Sequence, residues 1–323
     1  VVEEHSVRVR AFPAAIAGLA VAGLLAGCGS SDASPGAPGT SGAATAAVKV
    51  VATTTQVADF ARNIGGDRIQ LTQILKPNVD PHDYEASPAD VMAIAQAGLV
   101  IKSGVGLEKF LDQAVSSAGF AGTVVDASTG VTVRSGNGTD AEKAGDPHIW
   151  HNPLNAKIMA KNIAAALSAK DPQDKATFDA NYTSYAAKLD ALDKDITTQI
   201  DALPTGQRKL VTNHDAFGYY VDRYHLQFVG SIIPSFDTAA ELSGKDISDL
   251  VAKIKATGVK AIFSESSLPP KTADTIGREA GVKVVEGDNA LYGDTLGPAG
   301  SEGETYLKME EHNTKTIVDA LRG

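Results

Sequence analysis

The chain has 323 residues, 43% of them apolar, and a net charge of −10 at pH 7. That length suggests about two domains of ~150 residues each. The acidic balance, with no Lys/Arg-rich stripe, argues against nucleic-acid binding. It suits a protein that handles cations, although solubility alone would account for it.

The N-terminus reads as a targeting segment. Arg8 and Arg10 form a short basic region, and Phe12 to Leu25 is an apolar run of 14 residues. A bilayer takes about 20 residues to span, so this run has the size of a signal-peptide core instead. Leu25-Ala26-Gly27-Cys28 follows at once and resembles a bacterial lipobox. The resemblance implies a signal peptide over residues 1–27 and lipid on Cys28, the only cysteine of the chain. The mature protein would then have no disulfide, and a core of this size needs none. Residues 28–47 are rich in Ser, Gly, Ala, Pro and Thr, and read as a flexible tether. The expected location is therefore the extracytoplasmic face of a cell membrane, held by a lipid anchor.

Beyond the tether, strand and helix alternate. Lys49–Thr53 is β-rich, Val57–Ile64 has helical spacing, and Arg68–Leu75 reads as a second strand. Residues 77–88 form a loop, and Pro88 opens a helix that Gly98 ends. Leu99–Ile101 is a strand, Leu107–Val115 a helix and Thr123–Val125 a strand. This rhythm predicts a parallel α/β sheet. Ser128–Gly145 breaks it with a polar, Gly-rich loop, and Leu154–Ala169 is again helical. From Gln173 to Leu203 no Gly or Pro interrupts, and Phe178, Tyr182, Tyr185, Leu189, Leu192, Ile196, Ile200 and Leu203 recur at steps of three and four. That is one amphipathic helix of about 30 residues, roughly 45 Å long. The α/β rhythm then resumes with strands at 209–212, 227–229, 259–263 and 282–285. Helices at 217–224, 247–256, 272–280 and 304–321 alternate with them. The expected organisation is an N-terminal lobe over 48–172, a linking helix over 173–203 and a C-terminal lobe over 204–323.

In open α/β sheets ligands bind beyond the carboxyl ends of the strands. Four metal-ligating residues fall in such loops: His82, His148, His214 and Asp294. If the lobes face each other, each supplies two of them. Three neutral imidazoles and one carboxylate make a closed four-coordinate shell, which suits Zn²⁺. Each has a plainer reading, as a surface, capping or turn residue, and only their joint placement raises them above it. His151 could share an ion with His148, but a supporting or packing role is preferred, because Asn152-Pro153 already begins the next element. Glu265, just past a strand, is a supporting or alternate ligand. His225 and His312 read as structural or exposed.

At these residues the sequence resembles the metal-binding lipoproteins that serve ABC importers of zinc and manganese. The motifs that carry the resemblance are Asp80-Pro81-His82-Asp83-Tyr84-Glu85, Asp146-Pro147-His148-Ile149-Trp150, Val211-Thr212-Asn213-His214-Asp215-Ala216-Phe217 and Leu291-Tyr292-Gly293-Asp294. It implies two α/β lobes with parallel sheets, joined by one long rigid helix, with the metal in the cleft between them. It assigns His82, His148, His214 and Asp294 as the ligands. The third ligand position is His or Glu in this family, and Glu there tends to accompany manganese, so His214 tilts the expectation to Zn²⁺, with Mn²⁺ the alternative. The loop Ser128–Gly145 lacks the histidines that many zinc members carry there. The expected role is to deliver the ion to a permease and its ATPase, with no catalysis needed and the protein a monomer; the single long helix should restrict hinge motion, so modest local opening is expected in place of wide domain closure. A metallohydrolase would need an open coordination position and a general base, and no His-Glu-x-x-His occurs. A role as surface adhesin is claimed for some such lipoproteins, and no residue here speaks for or against it.

Overall fold

The computed structural model describes residues 47–136 and 144–322. The expected signal peptide, Cys28 and nearly all of the tether lie outside them. Chain order runs β1 Val48–Ala52, α1 Thr55–Gly65, β2 Ile69–Gln73, α2 Pro88–Gln96, β3 Leu99–Lys102, α3 Leu111–Ser117 and β4 Thr123–Asp126. Two helices follow, α4 Pro153–Lys170 and α5 Lys175–Asp201. The second half gives β5 Lys209–His214, α6 Gly218–Tyr224, β6 Gln227–Ile233, α7 Gly244–Thr257, β7 Ala261–Phe263, α8 Lys271–Ala280, β8 Lys283–Val285 and α9 Tyr306–Arg322.

The strands form two parallel sheets of four, in the orders β2-β1-β3-β4 and β6-β5-β7-β8. The second lobe thus repeats the topology of the first. In each sheet the strand order reverses between the first and third strands, and the carboxyl end of that pair is where an open α/β sheet offers a crevice. His214 ends β5, and Glu265 follows β7 directly, so both stand at the second sheet's reversal point.

The lobes share one core. Val50 and Ile101 of the first sheet and Leu210 and Phe263 of the second belong to the same buried cluster. Phe178, Tyr185, Leu189, Leu192, Ile196 and Ile200 of α5, with Tyr306, Met309 and Ile317 of α9, join it. Helix α5 packs against α1 and α4 on one side and α6 and α9 on the other. On its flank, Arg223 holds Asp193 through two nitrogens, at 2.8 and 2.6 Å. A core continuous through 27 helical residues leaves little freedom for one lobe to swing against the other.

One element departs from the sequence expectation. Leu107–Val115 has helical spacing, yet α3 begins only at Leu111. Glu108 folds back instead, and its buried carboxylate accepts Thr53 Oγ1 at 2.6 Å and the backbone N–H groups of Ser103 and Gly104 at 2.6 and 3.1 Å. Three donors to one carboxylate outweigh an extra helical turn. Burial still pushes the Glu108 carboxyl above its ordinary value.

Leu189 is fully buried where α5 crosses the shared core. Leu189→Ala is expected to cost the metal-free protein about 2–5 kcal/mol, measured by denaturant unfolding. An unchanged midpoint would mean that α5 does not carry the joint core.

Candidate metal centre

The tripeptide Asp-Pro-His occurs twice, at 80–82 and at 146–148. Both copies make the same local turn. His82 N–H donates to Asp80 Oδ1 at 2.9 Å, and His148 N–H to Asp146 Oδ1 at 3.0 Å. An Asp side chain bonding the backbone two residues on fixes the turn, and the proline stiffens it. Each imidazole is thereby aimed by its own aspartate. Gly145 precedes the second copy at φ +94, and a Cβ there would meet Val133 Cγ1 at 2.2 Å and the Arg134 carbonyl at 2.7 Å. Only glycine fits.

Inside, one nitrogen from each of three imidazoles meets a carboxylate oxygen. His148 Nε2 lies 3.2 Å from His82 Nε2 and 3.2 Å from His214 Nε2. Asp294 Oδ1 lies 3.2 Å from His148 Nε2, 3.4 Å from His214 Nε2 and 3.7 Å from His82 Nε2. All four residues are buried, and His148 and His214 completely so. The structure thus brings together the four residues selected from the sequence, two after strands of each sheet. Glu265 and His151 do not lie among the converging atoms.

Their surroundings explain which ring nitrogen faces inward. His148 Nδ1 sits 2.8 Å from Asp146 Oδ1, and His214 Nδ1 sits 3.0 Å from Glu265. A carboxylate accepting from Nδ1–H fixes the tautomer whose Nε2 lone pair points into the site. Arg134 Nη1 donates to the second oxygen of Asp146 at 2.7 Å, and Tyr219 Oη to its carbonyl at 2.8 Å. Glu265 Oε2 occupies the space a side chain would need at Gly293, where a Cβ would come within 2.1 Å of it.

The segment bearing Asp294 is held by the opposite lobe. Gln56 Nε2 donates to the Asp294 carbonyl at 2.8 Å, Leu296 N–H to Thr55 Oγ1 at 2.8 Å, and Asn78 N–H to Thr295 Oγ1 at 3.0 Å. Trp150 Nε1 and His151 Nε2 approach the Gly293 carbonyl at 3.0 and 2.9 Å. His151 therefore braces the ligand loop. A loop after β6 closes the site from outside: Phe236 lies 6.3 Å from the His148 ring, Thr238 Oγ1 donates to Asp80 Oδ2 at 2.6 Å, and Lys109 pairs with Asp237. Asp80 thus touches both the backbone of His82 and the covering loop. Sequence reasoning missed Asp80, Asp146, Arg134, Phe236 and Thr238 as functional. The repeated Asp-Pro-His was the one signal available for the two aspartates.

The electrostatics are those of a site short of positive charge. Burial works against a charged His148, but its hydrogen bond to Asp146 and the nearby carboxylate of Asp294 raise its pKa to about 9. His214 is also raised well above its ordinary value, where burial again opposes and the charges of Asp294 and Glu265 prevail. Burial alone would raise Asp294, yet the charge of His214 and the closeness of all three imidazole nitrogens hold it well below its ordinary value. Neither Asp294 carboxylate oxygen has a conventional hydrogen-bond partner.

Residues 50–320 match the family profile described as zinc-uptake complex component A, periplasmic. The chain belongs to this family. Its members are solute-binding proteins of metal uptake and not enzymes, which removes the hydrolase alternative. Among similar proteins is the manganese ABC transporter substrate-binding lipoprotein PsaA of Streptococcus mitis, 33% identical over 282 residues, 85% of this chain and 89% of that one. The iron ABC transporter substrate-binding lipoprotein MtsA of Streptococcus pyogenes serotype M1 is 31% identical over 285 residues, with the same coverage of 85% and 89%. Among solved structures, the periplasmic zinc binding protein TroA from Treponema pallidum superposes with a TM-score of 0.78 at 30% identity, covering 85% of this chain and 99% of that chain.

The raised imidazoles carry a stability consequence. A group whose folded pKa exceeds its unfolded value stabilises fully below the unfolded value, and that contribution is lost as pH rises through the folded one. For His148 the window runs from its ordinary 6.5 to about 9. Metal-free protein is therefore expected to lose thermal stability between pH 7 and pH 9, read by scanning calorimetry, whereas Asp294→Asn flattens the slope. A stability that climbs over this interval would contradict the assignment.

Proposed function

We propose that the protein captures Zn²⁺ on the outer face of a cell membrane and delivers it to the permease of an ABC importer, driven by a cytoplasmic ATPase. In this reading Cys28 carries the lipid anchor, the protein acts as a monomer, and His82, His148, His214 and Asp294 ligate the ion. One observation carries the metal identity. A tetrahedral zinc site with bonds of about 2.0–2.1 Å has ligand–ligand edges of about 3.3–3.4 Å. The five edges given above run from 3.2 to 3.7 Å. Three imidazoles and one carboxylate also suit zinc better than a harder ion.

Manganese is the second reading, and a specific feature favours it. Both oxygens of Asp294 lack a hydrogen-bond partner, so the carboxylate could bind through both, as a larger, oxygen-preferring dication would take it. The relative from Streptococcus mitis is described as a manganese protein. Nitrogen outnumbers oxygen three to one at the site, and that ranks zinc first.

Capture must displace a proton. In the metal-free site both His148 and His214 favour the protonated form, His148 up to about pH 9, and a metal takes only neutral imidazole. Calorimetry at pH 7 in buffers of different ionisation enthalpy should show net proton release on Zn²⁺ binding. Affinity should climb as pH rises from 6 toward 9, and Zn²⁺ should displace Mn²⁺ from preloaded protein. His214→Glu should narrow the difference between the two ions. Retention of Mn²⁺ against an equal concentration of Zn²⁺, with no proton release, would contradict the zinc reading.

A further inference from the structure

Helix α9 bears no metal ligand, yet one of its faces grips the segments carrying two of them. Tyr306, Glu310 and Asn313 are spaced by four and three residues, so they line one side of the helix. All three are fully buried. Tyr306 Oη donates to the Trp150 carbonyl at 2.6 Å. Glu310 Oε1 lies 2.8 Å from His151 Nδ1. Asn313 pairs with both backbone groups of Tyr292, accepting from its N–H and donating to its carbonyl, each at 2.9 Å. The two gripped segments then meet at the Gly293 carbonyl, which accepts from Trp150 and His151. The result is a closed ring of hydrogen bonds: α9, the 150–151 turn, Gly293, Tyr292, and back to α9.

His148 stands two residues before Trp150, and Asp294 one residue after Gly293. The ring therefore fixes the edge between these two ligands, which is 3.2 Å. His151 is the rigid strut in it. Both of its nitrogens face acceptors, the Glu310 carboxylate and the Gly293 carbonyl, and its ring stacks on Phe217 with centroids 4.3 Å apart. Glu310 and the Gly293 carbonyl thus hold the ring at both ends. The other Glu310 oxygen has no hydrogen-bond partner. The best-attested use of a buried polar contact of this kind is to specify a register. Here the register is that of two ligand loops.

We propose that the Tyr306–Glu310–Asn313 face of α9, acting through His151, is a positioning device that holds the His148–Asp294 edge at tetrahedral size and so sets the protein's preference for Zn²⁺ over Mn²⁺. This rests on the metal-capture reading above. The device touches no ligand side chain; it acts by denying the site the expansion that a six-coordinate ion needs.

The test measures Zn²⁺ and Mn²⁺ dissociation constants in parallel on the full chain, with the fluorescence of Trp150, the only tryptophan, as one readout. Asn313→Leu and His151→Phe remove ring members at similar volume. Tyr306→Phe removes a single hydroxyl and keeps the core filled. Each is expected to lower the preference for Zn²⁺ over Mn²⁺, by about tenfold or more for the first two and less for Tyr306→Phe. Glu310→Gln should keep the preference, because an amide in the same place can still bond His151 Nδ1 while Nε2 stays on Gly293. An unchanged preference in Tyr306→Phe and in either larger variant that folds, or an equal loss for both ions, overturns the proposal and leaves metal capture standing. Failure of the unsubstituted protein to bind either ion would sink the capture reading itself.

Discussion

The arrangement depends on one buried carboxylate. Asp294 is sealed from water, and neither of its oxygens receives a conventional hydrogen bond. A charge in that position costs several kcal/mol unless a cation meets it. Three imidazole nitrogens stand between 3.2 and 3.7 Å from one of its oxygens and supply what compensation the protein has, by holding protons. In the proposed reading a dication takes the place of those protons. Asp146 and Glu265 stand behind the imidazoles and make them more basic, and Arg134 offsets part of the added negative charge.

The fold makes that concentration of charge tolerable. Two sheets of identical strand order face each other, and the loops beyond their carboxyl ends meet at one point. The core passes without a break through α5 and α9, and the Asp294 loop is bonded to α1 of the other lobe. Motion is thereby confined to pieces held by few bonds. The segment around Phe236–Thr238 is such a piece: it touches the first lobe through the Lys109–Asp237 pair and the Thr238–Asp80 bond.

Much of this is legible in the sequence, and the limits have physical causes. Strand–helix alternation and the uninterrupted run before Pro204 report local periodicity, so the elements emerge with errors only at their ends. The start of α3 is misjudged because Glu108 bonds Thr53, 55 positions away, and such a partner leaves no periodic trace. The four residues that converge could be picked out because His is scarce and three of the seven stand at or beyond strand ends. His151 and Glu265 are visible as candidates, but their roles depend on atoms that only the fold supplies: Glu310 is 159 positions from His151, and Glu265 is 51 from His214. Asp80 and Asp146 are within reach, since the same tripeptide, Asp-Pro-His, ends in both His82 and His148.

The most direct test of the account is zinc K-edge X-ray absorption on protein loaded with one equivalent of Zn²⁺. The account predicts four nitrogen or oxygen neighbours at about 2.0–2.1 Å, with the outer-shell scattering of three imidazoles. A six-coordinate shell, or a shell with fewer than two imidazoles, would contradict it.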